Sequence, residues 1–245
     1  MAMVGSRSTR RARVWLWVAE LAGAAGVPVS VASLCDTAMT RLEVDGVTLS
    51  VDTSAGWPET RYATGALGEC LAELQVTVGE GPSTEVRRRG APILVGDLDT
   101  TTSQRRWPMF APLAVEAGAH ALFTLPLAVG VIRVGALSLH RVAAGQLAPA
   151  ALADALIFAE LALGLLLDEQ AGLPVGATET GEAPTLLTPQ VHQATGMIAA
   201  QLDVPLAHAF ARLRARAFAD CRPLAELATA VVARRVRFDP DDETL

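Results

Sequence analysis

The spacing of hydrophobic positions changes several times along the chain, and the changes divide it into elements. Residues 14–40 read as helix with an interruption at Gly26-Val-Pro28. Residues 46–52, opened by glycine and rich in β-branched side chains, read as a strand. A turn at 55–58 and a partner strand at 60–64 complete a hairpin, and Leu67, Leu71 and Leu74 recur at helical spacing over 67–74. Val78-Gly-Glu-Gly-Pro82 is a tight loop, with Pro82 placed to open the helix that ends in Arg87-Arg-Arg-Gly90. A strand is expected at 92–97 and a helix at 107–116. Two apolar strands, 119–127 and 131–139, are expected to pair antiparallel around Val129-Gly130. Residues 149–170 form a helix so apolar on nearly every side that it must be buried against more than one neighbour. This order predicts an α+β, sensor-like fold: an antiparallel sheet with flanking helices over residues 14–170.

The texture then changes. Residues 171–187 are rich in Gly, Pro, Thr and Glu and read as a linker. In 188–238 helical periodicity returns three times. Thr188-Pro189 starts a helix whose Val191, Ala194, Ile198 and Leu202 share one face. Leu206, Ala209, Phe210, Leu213 and Ala217 make a second stripe, and Leu224, Leu227, Ala228 and Val231 a third. Three one-sided helices predict an all-α bundle, marginal in stability by itself at under ~60 residues. Residues 1–13, which are basic, are expected to be disordered, and 239–245 form an acidic tail.

Composition adds constraints. The 245 residues carry 20 basic side chains, all arginine, against 26 acidic ones, for a formal charge of −6. No global basic field exists, so any polyanion site must be a local patch. Cys35, Cys70 and Cys221 are odd in number and far apart, which points to buried thiols in a reducing cytoplasm. Glu20 cuts short the apolar run after the N-terminal arginines, and the apolar stretch 152–167 is shorter than the ~20 residues a bilayer span needs. The expectation is a cytoplasmic protein without a membrane partner.

Candidate chemistry concentrates near the C-terminus. Residues 188–238 carry seven arginines (212, 214, 216, 222, 234, 235 and 237) against Asp203, Asp220 and Glu226, an excess of four. Such a patch suits phosphate contacts, and it equally suits a solvated arginine face. Arg212 and Arg216 share one helix flank, whereas Arg214 projects from the other side. His192 and His208 are either RNA contacts or exposed solvated side chains. His120 and His140 lack a spaced carboxylate or cysteine partner for a metal or haem. Asp97-Leu-Asp99 reads as a pocket lip or a polar turn, and Arg87-Arg-Arg89 as a solvated helix end or a ligand clamp. Phosphate loop, nucleophile elbow and acid–base pair are all missing from the motifs, so no enzyme activity, metal or cofactor is expected.

Two resemblances extend this reading. The element order, the Val78-Gly-Glu-Gly-Pro82 loop before a short helix, and the pair Phe123-Thr-Leu-Pro-Leu and Gly135-Ala-Leu-Ser-Leu resemble a GAF domain over residues 15–168. That resemblance implies a pocket between sheet and helices for a small molecule of unidentified chemistry, and dimerisation through the terminal helices. Ser83 stands where the family often has cysteine. Farther on, His192-Gln-Ala-Thr-Gly-Met-Ile198, Ala207-His-Ala-Phe-Ala-Arg-Leu-Arg-Ala-Arg-Ala217 and Arg222-Pro-Leu-Ala-Glu-Leu-Ala228 resemble, in order and spacing, the three helices of the ANTAR domain over 186–238. ANTAR domains are RNA-binding modules of transcription antitermination regulators, and GAF followed by ANTAR is a pairing known in actinobacteria. The resemblance implies a homodimer that binds paired stem-loops in nascent transcripts. Gln193, Ala194, Thr195 and Gly196 would meet a loop, while Arg212, Arg214, Arg216, Arg222 and Arg234 would hold phosphates or guanine edges. Thr195 stands where the family commonly has lysine. The competing expectation is a ligand-sensing protein whose C-terminal helices bind a protein partner and no RNA.

Overall fold

The computed structural model describes residues 2–53, 57–130, 132–170, 189–220 and 222–239. The expected linker, Cys221 and the end of the acidic tail lie outside these. Ten helices and five strands are described: α1 (Ala2–Ala25), α2 (Val31–Arg41), β1 (Gly46–Asp52), β2 (Pro58–Ala63), α3 (Gly65–Val78), α4 (Pro82–Arg89), β3 (Ile93–Val95), α5 (Thr101–Arg106), α6 (Phe110–Glu116), β4 (Ala121–Val129), β5 (Ile132–Arg141), α7 (Pro149–Gln170), α8 (Pro189–Leu202), α9 (Leu206–Ala219) and α10 (Leu224–Val232).

The strands form one antiparallel sheet in the order β2-β1-β5-β4-β3. Its two faces differ because side chains alternate along each strand. Val47, Leu49, Phe123, Leu125, Leu137 and Leu139 point to one face, where they join α1, α2 and α7 in a fully apolar core. The opposite face, under α3 and α4, is partly polar. Thr48, Ser138 and Thr124 lie side by side in register across β1, β5 and β4, all buried. Ser138 Oγ is 3.1 Å from both Thr124 Oγ1 and Ser83 Oγ, so one hydroxyl chain ties sheet to α4. Buried hydroxyls satisfied in this way avoid the penalty of unpaired polar atoms.

Two expectations need correction. Residues 1–13 do not form a disordered arm where described: α1 starts at Ala2. Arg10 and Arg13 each reach Asp154 Oδ1 on α7 at 2.7 Å, and Arg7 pairs with Glu160. These tertiary partners, which no local pattern reveals, offset the cost of ordering the segment. Arg13 and Arg41 also flank the Trp17 ring, at 4.9 and 5.0 Å, fastening α1 to α2. Secondly, Cys70 is exposed, while Cys35 is buried with its thiol pKa pushed up by burial and, less, by Asp36. The helix α7 is long and apolar enough by composition to cross a bilayer, and just over half of it is buried inside the fold.

Glycines on and near the sheet report how tight it is. A Cβ at Gly135 would meet Ser50 O at 1.9 Å, whereas one at Gly164, in α7, meets nothing within 4 Å. Gly135→Ala is therefore expected to destabilise the protein by about 3 kcal/mol, by overpacking two backbones. Gly164→Ala is expected to stabilise it by about 0.5–1 kcal/mol through helix propensity. Urea unfolding of both variants measures the two signs.

Candidate functional site

The helix α3 has two working faces. Inward, Gly68, Leu71, Ala72 and Gln75 are buried against the sheet side. Outward, Glu73, Val76 and Thr77 meet the C-terminal helices. Glu73 Oε1 accepts the Leu224 amide at 2.7 Å, so a carboxylate of the sheet-bearing unit caps the first turn of α10. Val76 and Trp57 enter the bundle core beside Val191, Ile198, Phe210, Leu213 and Leu227. Trp57 stacks on Phe210 with ring centroids 4.7 Å apart. Arg214 Nε donates to Thr77 O at 3.2 Å.

The loop after α3 explains its own sequence. Gly79 takes φ 74° to end α3, and a Cβ there would sit 1.7 Å from Arg214 Nη2. Gly81 takes φ 121°, and its missing side chain leaves room for Gln75, whose Oε1 accepts the Ser83 amide at 2.8 Å. Between them Glu80 Oε1 accepts the Met109 and Phe110 amides at 2.6 and 3.1 Å, capping α6. Pro82 then occupies the first turn of α4.

Two of the spaces near this loop bear on ligand binding. The interior space between sheet, α3 and α4, lined by Thr48, Ser50, Thr60, Gln75 and Ser83, has about 10 Å³, no more than one water fills. A larger cleft of about 490 Å³ opens between the β1–β2 hairpin, α3, α4 and α9. Arg87 lines it, with 16% of its side chain exposed and its Nε 3.3 Å from Asp52 Oδ1. Burial lowers the Arg87 pKa, Asp52 raises it and Arg214 lowers it again. Arg214 is lowered by burial, and Asp52 is raised by burial with Arg87 opposing. Arg87 is thus not the solvated helix end that the arginine run suggested. Asp97-Leu-Asp99 is a polar turn, its Asp97 Oδ1 accepting the Asp99 amide at 2.9 Å.

The residues expected to read RNA separate into groups. Gln193 and Gly196 are exposed on α8, three apart and so on one flank. Ala194 and Thr195 are corrections: both are fully buried, in line with Val191 and Ile198, and Thr195 Oγ1 donates to Val191 O at 2.7 Å. The stripe that builds the bundle core uses their side, so neither meets a partner while the bundle is closed. Arg212 and Arg216 are half-buried on the flank opposite Arg214, and Arg216 pairs with Asp220 at 2.9 Å. Arg222 is half-buried and Arg234 exposed, the latter at φ 57° after α10. His208 is exposed, and the His192 side chain lies outside the described residues. His140 is buried against Gly46 and Gly68, its pKa lowered by burial with Asp45 opposing. Among the described residues no group of three His, Cys, Asp or Glu side chains could hold a metal.

No protein-family model matches the sequence, and no curated protein matches it. Solved structures do match. The GAF domain of a phosphoenolpyruvate-protein phosphotransferase from Coxiella burnetii is 14% identical, with a TM-score of 0.50 over 66% of this chain and 97% of that one. The equivalent GAF domain from Acinetobacter is 11% identical, TM-score 0.49, over 68% and 96%. The second GAF domain of DevS from Mycobacterium smegmatis is 19% identical, TM-score 0.41, over 57% and 92%. The sheet-bearing unit has the GAF fold.

Docking of the bundle depends on α3 and its loop. Gly79→Ala combines a disfavoured φ with displacement of Arg214, and Glu73→Ala removes a helix cap worth about 1 kcal/mol. In hydrogen exchange, both variants are expected to speed exchange in α9 and α10 and to leave the sheet amides unchanged.

Proposed function

We propose that the chain is an RNA-binding regulator of transcription antitermination, in which the GAF-fold unit senses a signal and residues 188–238 act as an ANTAR-type module. The observation that carries this reading is the placement of α9. Its arginines project from two flanks, and the sensor holds one of them, Arg214, against Thr77 O and Gly79. Arg212 and Arg216, with Gln193 and Gly196 on α8, form the RNA-facing set, and Arg222 and Arg234 extend it. Arginine forks suit phosphates and guanine edges.

In the docked state Arg214 is withheld from RNA. Release of α9 from α3 returns it to the basic face, so sensor state sets RNA affinity through one helix–helix contact. A dimer presenting two modules engages paired stem-loops with gain from effective concentration. Exposed Trp15, Leu16 and Leu21 on α1 and Leu156 and Leu167 on α7 supply apolar surface for that dimer. The protein acts in the cytoplasm, without catalysing a reaction.

A gel-shift titration of the full chain against a paired stem-loop RNA tests the reading. Binding is expected to weaken steeply with salt, and the triple variant Arg212→Ala, Arg214→Ala, Arg216→Ala to lose at least about tenfold in affinity. Gly79→Ala is expected to bind RNA more tightly than the parent. Binding unchanged in the triple variant sinks the arginine assignment. Absence of RNA binding, with salt-insensitive capture of a protein by the helices, replaces the reading with the protein-partner one.

A further inference from the structure

The cleft between sensor and bundle carries an unusual charge arrangement. Elsewhere the described arginines that reach a protein partner often reach a carboxylate: Arg10 and Arg13 on Asp154, Arg89 and Arg106 on Glu85, Arg216 on Asp220. In the cleft, Arg87 from α4 and Arg214 from α9 line one space, the charge of Arg214 helps to lower the affinity of Arg87 for a proton, and the one carboxylate of the lining, Asp52, pairs with Arg87 at 3.3 Å. Arg88 lines the same space. Among the described residues Arg214 has a carbonyl, Thr77 O, and the face of the Phe210 ring, at 5.9 Å, as its contacts. Two half-buried cations set against each other across an interface oppose its closing, since like charges in a partly dry space repel strongly. The interface closes around them nonetheless, with about 490 Å³ of open space between.

That volume falls within the range of small-molecule sites. The interior space under α3 does not compete for a solute, because Gln75 and the Ser83–Ser138–Thr124 hydroxyl chain fill it. The cleft also offers the Thr84 hydroxyl along its wall, 3.4 Å from Arg87 Nη2. Three guanidiniums against one carboxylate leave an excess of two positive charges, and a phosphate monoester carries about −1.5 to −2 at neutral pH. Planar guanidinium forks match phosphate oxygens in geometry as well as charge.

The geometry points to this cleft as a binding site for a small phosphate-bearing molecule, held between Arg87 of the sensor and Arg214 of the bundle. The ligand turns a repulsive pair into a bridge, and because it touches both units its binding free energy adds to docking. The inference goes beyond the RNA reading and does not rest on it.

Calorimetric titration of the full chain tests it, using inorganic phosphate and AMP as probes, with adenosine and malonate as controls. Phosphate and AMP are expected to bind, more tightly at pH 7.5 than at pH 5 as the monoester loses its second proton near pH ~6. Adenosine and malonate are expected to bind at least about tenfold more weakly, as they lack the phosphate that the forks fit. Arg87→Lys and Arg214→Lys keep the charge but lose the fork, and each is expected to weaken phosphate binding about tenfold or more. Arg41→Lys, on the far side of the sheet, is expected to change nothing. Should either lysine variant fail to fold, Gly79→Ala decides, since undocking α9 dismantles a composite site and abolishes binding. Failure of both phosphate probes to bind at millimolar concentration overturns the proposal. So does binding that survives Arg87→Lys, Arg214→Lys and Gly79→Ala, or malonate binding equal to phosphate. No RNA enters these measurements, so their failure leaves the RNA reading standing.

Discussion

Five residues of backbone, Val78-Gly-Glu-Gly-Pro82, hold four helices in place. The left-handed turn at Gly79 ends α3, Glu80 supplies the acceptor for the start of α6, and Pro82 begins α4. The empty side of Gly79 seats Arg214 of α9, and that of Gly81 seats Gln75. Two of these jobs require positive φ and a missing Cβ together, a combination that glycine alone meets without strain. The Arg214 contact that joins α9 to the GAF-fold unit, and one wall of the cleft, are positioned by how this turn runs.

The sheet illustrates a second constraint. Its α7 side is wholly apolar, whereas the α3 side mixes hydroxyls with leucines. The hydroxyls satisfy one another and so tolerate burial, but the Ser83–Ser138 bond holds only while α4 stays in place. The apolar face depends on volume, and the polar face on alignment. A shift of α3 or α4 therefore breaks specific bonds instead of merely loosening a core.

Much of the fold was legible from period and punctuation. β1, β4, β5 and α7 stand near their expected limits because strict alternation or unbroken apolarity marks them. α5 was not legible: Thr-Thr-Ser-Gln-Arg-Arg has no apolar repeat, and the helix forms because Thr100 caps it and Ser103 bonds back to Asp97 O. The start of α1 was hidden for another reason, since its partners lie about 150 residues away on α7. In the candidate site, the two-sided placement of Arg212 and Arg216 against Arg214 followed from helical spacing. Ala194 and Thr195 did not follow, because a motif marks positions without saying which face packs inward. Arg87 gave no local signal within a run of three arginines, and only tertiary structure distinguishes it from Arg88 and Arg89.

The stacking of Trp57 on Phe210, and the presence of Val76 among the bundle's buried side chains, bear on how such a protein is inherited. A module that borrows part of its interior from its neighbour is not freely portable. Recombination that moved the three helices to another domain would have to bring along a tryptophan on one hairpin and a valine on one helix, or replace both. The boundary expected from the sequence at 171–187 and the boundary drawn by the core therefore differ.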